Sequence, residues 1–159
     1  EVLQLGNQQW RVIITHGHHP GHLCFAGDAG LIAGDMVAGF GTILIPPATG
    51  DMDLYIEELD QLKLLEPHLL FPSHGPVIAL PQQKLTYYID HRGARHNKVL
   101  QAVKEGSCQL SEIAVKAYAD TPNAHPGLAK DQTLTHLLSH QRRGKVTRDD
   151  SGKWHASID

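Results

Sequence analysis

"RVIITHGHHPGHLCFAGDAGLIAGD", residues 11–35, is the stretch on which the fold turns. It begins inside "WRVIIT" (10–15), a compact apolar run with β-branched residues that reads as a buried strand. It continues into "HLCFAG" and "GLIAGD", two short runs joined by "GDAG" (27–30), whose glycines favour a tight hairpin turn. Between the first strand and this hairpin lies "THGHHPGHLCF" (15–25), which holds His16, His18, His19 and His22. A surface loop has no ordinary reason to collect four imidazoles, so the loop is a candidate site.

Downstream, the Gly- and Pro-rich "AGFGTILIPPATG" (38–50) reads as a loop. Its apolar residues Phe40, Ile43, Leu44 and Ile45 fit a pocket rim and a core equally well. "DMDLYIEELDQLKLLEP" then sets Tyr55, Ile56, Leu59 and Leu62 at helical spacing, with Asp51 or Asp53 as N-cap and Pro67 past the end. "HLLF" (68–71) is one more buried strand, running into "PSHGP". Three strands therefore each deliver a ligand type at their C-terminal ends: His18, Asp35 and His74. Loops at such ends commonly build the site of an α/β layer structure. Imidazole and carboxylate suit Zn²⁺ or a similar divalent ion, and Gly17, Gly34 and Gly75 would let backbone approach it. Singly, each has a plainer reading as a surface, turn or corner residue. Their order and shared position favour a site.

The second half changes period. Helical patterns run through "IDHRGARHNKVLQAVKEG" (89–106), "QLSEIAVKAYA" (109–119) and "LAKDQTLTHLLSHQRRG" (128–144), with "TPNAHPG" (121–127) as a breaker. "KVTRDDSGKWHAS" (145–157) reads as two strands around a "DDSG" turn. Three helices and a hairpin describe a winged helix-turn-helix. Charge divides the same way: residues 1–83 hold two Lys/Arg against nine Asp/Glu, and residues 84–159 hold twelve against eight. This places two modules at 1–83 and 84–159.

With 159 residues, 41% hydrophobic and 19% charged, the chain is neither disordered nor membrane-spanning. Cys24 and Cys108 form no CxxC pair, and no basic-then-apolar leader is visible, so a reduced, cytoplasmic setting is expected. The chain begins without Met, as if within a domain, which suggests a portion of a longer protein.

"THGHHPGHLCF", then "GDMV", then "FPSHGPVI" resembles the metallo-β-lactamase-fold hydrolases, whose pattern runs TPGHTxxH, a strand, GD, a helix and PGHGP. The likeness is to the glyoxalase II-like and β-lactamase-like groups that carry a winged-helix domain. "DHRGARHNKVL" resembles the opening of that domain. The resemblance implies an α/β (α+β) fold: the C-terminal half of an αββα sandwich, followed by a winged helix. It assigns His18 and His74 to the two metal sites, Asp35 to the bridge between them, and His22 to a hydrogen-bonding or substrate-side role near the metals. His16 stands where the family has Pro, Ser73 where it has Gly, and His19 has no assigned role.

One departure is larger. The family's HxHxDH motif supplies the remaining ligands and is absent; "HRGARH" (91–96) lacks its carboxylate. Intact relatives hold two Zn²⁺, and a metal-bound hydroxide attacks a thioester, ester or phosphodiester. Here at most one zinc is expected, with Mn or Fe as alternatives, and the chain alone should be weakly active or inactive. Expected partners are a small ester or thioester or single-stranded RNA, the missing half of the sandwich in cis or trans, and a possible second copy, with no membrane. The alternative is a nucleic-acid-binding or assembly module. Lys130, Arg142, Arg143, Lys145 and Arg148 would line phosphates, and Thr133, His136 and His140 would point outward from the recognition helix.

Overall fold

Alternating apolar positions in the first forty residues build a sheet. The computed structural model describes residues 1–157. Strands β1 (Val2–Leu5), β2 (Gln8–Ile14), β3 (Leu23–Gly27) and β4 (Gly30–Gly34) pair antiparallel in sequence order, and β5 (Leu70–Pro72) adds parallel to β4. The hairpin expected at "GDAG" turns at Asp28 and Ala29, with Gly27 opposite Gly30. Strand β1 lies outside the sequence expectation, because the four residues of "VLQL" are too few to carry a pattern. The strand expected at 68–71 lies at 70–72.

The period-two side-chain rule divides the sheet's faces. Cys24, Leu31, Ala33 and Leu70 are buried in one core, with Met52, Tyr55, Leu59 and Leu62 from helix α1 (Met52–Leu64). Val12, Phe25, Ile32 and Phe71, opposite one another in register on the other face, are only half-buried. An open groove of about 460 Å³ runs along that face past Trp10, Ile32, Phe71 and Pro72. Asp51, not Asp53, caps α1: its carboxylate accepts from the N–H groups of Asp53 and Leu54 at 2.9 and 3.2 Å. The loop before it divides its apolar residues, with Ile43 and Ile45 in the core and Phe40 and Leu44 exposed.

Helix α2 (Pro81–Lys104) starts eight residues before the expected position. Pro81 suits a first turn, and Leu85 and Tyr88 enter the first core at i, i+3, but "PQQK" hides that start in sequence. Two compact units meet inside this helix, at His91 and Arg92, whereas the change of pattern places the division at 83/84. The second unit adds α3 (Leu110–Ala117), α4 (Pro126–Arg142) and the antiparallel pair β6 (Val146–Arg148) and β7 (Trp154–Ala156). Helix α4 begins within the expected breaker, because Pro126 serves as its first residue. Val99, Val103, Ile113, Leu137 and Trp154 form the second core.

One expectation in this unit is corrected. Thr133, His136 and His140, read as outward, are all buried, at 0%, 0% and 2% exposure. The leucine count suggested the wrong face, because α4 buries a polar stripe that finds partners on α2. Arg92 donates to Gln132 at 2.8 Å, His140 Nε2 donates to the His96 carbonyl at 2.9 Å, and the His96 and His140 rings stack at 3.6 Å.

Candidate metal centre

The loop after β2 is fixed by a carboxylate that lies outside every motif read from the sequence. Glu58, buried on α1, accepts from the backbone N–H groups of His16 and Gly17 at 2.6 and 2.8 Å. Burial pushes its carboxyl above the usual range, more than those two donors pull it down. The Asp51 N–H donates to the Gly17 carbonyl at 2.8 Å, so the start of α1 holds the loop at two points. Gly17 is required for this approach, since a Cβ there would lie 2.3 Å from the Tyr55 backbone. Its role is thus to admit α1, not an ion. Gly34, with φ +55°, likewise makes room for the His22 ring, and Gly75, with φ +86°, for Gly39. A sequence reader could have found Glu58 as the one acid on the apolar face of α1, one turn from Tyr55.

These anchors bring the three expected ligand residues together. His18 Nε2 lies 3.7 Å from Asp35 Oδ2, and His74 Nε2 lies 3.3 Å from Asp35 Oδ1. Asp35 follows β4 and His74 follows the neighbouring parallel β5, so adjacent strand ends deliver both, and the Ser73 N–H donates to the Gly34 carbonyl at 3.1 Å. Asp35 is half-buried and His74 stands open, with its side chain 72% exposed. His16 and His19 are both exposed.

Hydrogen-bond partners assign the tautomers. His18 Nδ1 lies 3.0 Å from the Leu44 carbonyl, which can only accept, so Nδ1 carries the hydrogen. In the neutral ring Nε2 is then a bare acceptor, and it faces a carboxylate oxygen. His22 Nε2 accepts from the Asp35 backbone N–H at 2.9 Å, so its Nδ1 donates to Thr15 Oγ1 at 2.7 Å. His22 therefore holds the Asp35 backbone and does not offer its Nε2 lone pair to an ion. Burial, then the neighbouring His18, lowers its pKa and favours the neutral ring.

The donor set is incomplete by itself. Among the described residues no group of three or more His, Cys, Asp or Glu closes around a point that could hold a metal ion. Its chemistry nevertheless fits a share of one. Asp35 Oδ1 is buried without a hydrogen-bond partner, and Asp35 Oδ2 faces an acceptor nitrogen. A cation answers both demands.

The loop beyond Asp35 is tied down with equal care. Tyr55 Oη donates to the Met36 carbonyl at 2.6 Å, and Tyr88 Oη accepts from the Ala38 N–H at 2.9 Å. The Gly39 N–H donates to the His74 carbonyl at 2.8 Å, and Lys84 Nζ donates to the Gly39 carbonyl at 3.3 Å.

The model of the metallo-beta-lactamase superfamily matches residues 2–74, which contain all three converging side chains. A beta-lactamase-like protein 2 homolog of Drosophila melanogaster is 32% identical over 141 residues, or 86% of this chain and 47% of that protein. The atrochrysone carboxyl ACP thioesterase of Aspergillus fumigatus is 32% identical over 106 residues, covering 65% of this chain and 32% of its own length. The chain spans less than half the length of these curated relatives. Two crystal structures share the fold over 99% of the chain and about half of their own. One is a metallo-beta-lactamase family protein from Thermus thermophilus, with TM-score 0.82 and 22% identity. The other is a beta-lactamase domain protein from Burkholderia ambifaria, with TM-score 0.86 and 24% identity.

Proposed function

Since this chain belongs to the metallo-beta-lactamase superfamily, we propose that it is the C-terminal part of a metal-dependent hydrolase acting on acyl thioesters or esters. The observation that carries this reading is the Asp35 carboxylate set between two imidazole Nε2 atoms, with one oxygen unbonded and the other facing a lone pair. His18, Asp35 and His74 would hold the metal, zinc being the ion their donors suit. When bound, such an ion supplies Lewis acidity and makes water a nucleophile near neutral pH. The chain's other residues set the geometry. His22 holds the Asp35 backbone, Leu44 orients His18, and Glu58 with Gly17 fixes the loop that presents His18. The thioester preference rests on the thioesterase relative and belongs to the proposal.

Full activity in this reading requires the remaining ligands from the rest of the protein, joined in cis or supplied in trans. The test is Co²⁺ and Zn²⁺ binding to the 159-residue chain, read by the visible spectrum of Co²⁺ and by calorimetry. One ion per chain is expected, with at least tenfold weaker binding in His18→Ala, Asp35→Asn and His74→Ala. A parent chain that binds neither ion, or variants that bind as well as the parent, would overturn the assignment.

A further inference from the structure

Lys84 lies on α2 in the same unit as the candidate metal centre, and its ammonium has one hydrogen-bond acceptor, the Gly39 carbonyl at 3.3 Å. An ammonium carries three donors, so this leaves two. Its other neighbours are ring faces, with Tyr87 at 5.8 Å and Tyr88 at 5.3 Å from Nζ to centroid. Among the described residues no carboxylate pairs with it. Desolvation by burial lowers its pKa, the sign of a cation held without a compensating anion.

The ammonium opens on a groove. Gly39, Val77, Ile78, Leu80, Lys84 and Tyr87 line an open depression of about 550 Å³. Val77, Leu80 and Tyr87 are 53%, 61% and 50% exposed, so the walls are mainly apolar and bare, with Gln83 the one neutral polar side chain among them. One residue couples groove to site: Gly39 donates to the His74 carbonyl and accepts from Lys84. Two hydrogen bonds and one residue of backbone put the ammonium within about 10 Å of the His74 main chain, the length of a medium acyl chain.

We propose that this groove is the acyl subsite, and that Lys84 receives a carboxylate borne at the far end of the acyl chain. The substrate class is then an acyl thioester or ester with a free terminal carboxylate. This rests on the hydrolase reading and narrows it. Apolar walls with a single cation that has no carboxylate partner select such a ligand over a neutral one, because the chain covers the exposed side chains while its carboxylate meets the ammonium.

Octanoate and 1-octanol share a chain and differ in charge, so they serve as probes of the metal-free 159-residue chain, followed by amide NMR shifts. Octanoate is expected to shift the amides of Gly39 and of residues 77–87 saturably, and at least tenfold more tightly than 1-octanol. Lys84→Gln should abolish that preference and Lys84→Arg should keep it, both with native amide dispersion. Equal binding of the two probes overturns the proposal, as does a preference that survives Lys84→Gln or an absence of shifts at these amides. If Lys84 only ties down the Gly39 loop, Lys84→Gln will move Gly39 without ligand and the parent will show no preference for octanoate. Because no metal takes part, failure here is separate from failure of the Co²⁺ test.

Discussion

The two units bury polar groups to opposite ends. In Glu1–Ile45 with Thr49–His91, Glu58 and Thr15 each serve a loop, and the result is an Asp35 oxygen left unbonded between a half-buried and an open imidazole. In Pro46–Ala48 with Arg92–Asp159, buried polar residues face one another: Arg92 on Gln132, Arg95 on the Ala117 carbonyl, and His96 Nδ1 3.2 Å from His136 Nδ1. The first arrangement leaves its unbonded oxygen beside an exposed imidazole, whereas the second turns buried polar groups on one another, although Arg95 Nε and His136 Nε2 also stay without a partner among the described residues. A protein that binds a ligand needs unmet valence at one place, and rigid support behind it.

Four experiments press on that contrast. Gly17→Ala should do the most damage, because its methyl would meet the Tyr55 backbone at 2.3 Å. A loss of about 3 kcal/mol in urea unfolding is expected, together with loss of Co²⁺ binding. Glu58→Ala comes next. It strands the His16 and Gly17 N–H groups and should cost about 2–3 kcal/mol; native stability in this variant would break the claim that Glu58 supports the loop.

The third experiment asks whether the second unit is closed at a cost in acid. His136 is fully buried, and burial, then Arg92, His96, His140 and Arg95, holds its pKa well below 6.5. The unfolded chain therefore takes up a proton that the folded unit refuses. The contribution is complete above pH 6.5 and is lost as pH falls from there toward the folded pKa, at up to about 1.4 kcal/mol per pH unit. Each unit holds one buried tryptophan, Trp10 or Trp154, so single-tryptophan variants report on them separately. The Trp154 signal should destabilise first between about pH 6.5 and 5, and His136→Phe should flatten its pH dependence. The smallest effect belongs to His74→Ala. With a side chain so exposed, its stability should stay within about 0.5 kcal/mol of the parent, while metal binding falls tenfold or more.

Legibility followed the same division. Strands β2 to β4 and helices α1 and α3 were readable because one face of each is apolar with the proper period. The ligand types at strand ends were readable because a strand end fixes where the next residue goes. What stayed hidden was whatever depends on a distant partner. Glu58 stands out as an acid on the apolar face of α1, but the loop N–H groups it receives lie far away in sequence, and the start of α2 looks polar until Leu85 and Tyr88 find the core. Thr133, His136 and His140 looked like a surface for the same reason, since hydropathy alone does not reveal that α2 offers arginine and histidine neighbours to this face of α4.

The parallel pairing of β4 with β5 has a consequence for how this protein can vary. Ile32 opposite Phe71 and Gly34 opposite Pro72 set the separation of Asp35 and His74 by the sheet's own hydrogen-bond ladder. The chain between Asp35 and β5, residues 36–69, could be lengthened at the tip of the 40–50 loop without altering that separation. Selectivity can therefore diversify by insertion and exchange of loop segments while the ligand spacing is inherited unchanged.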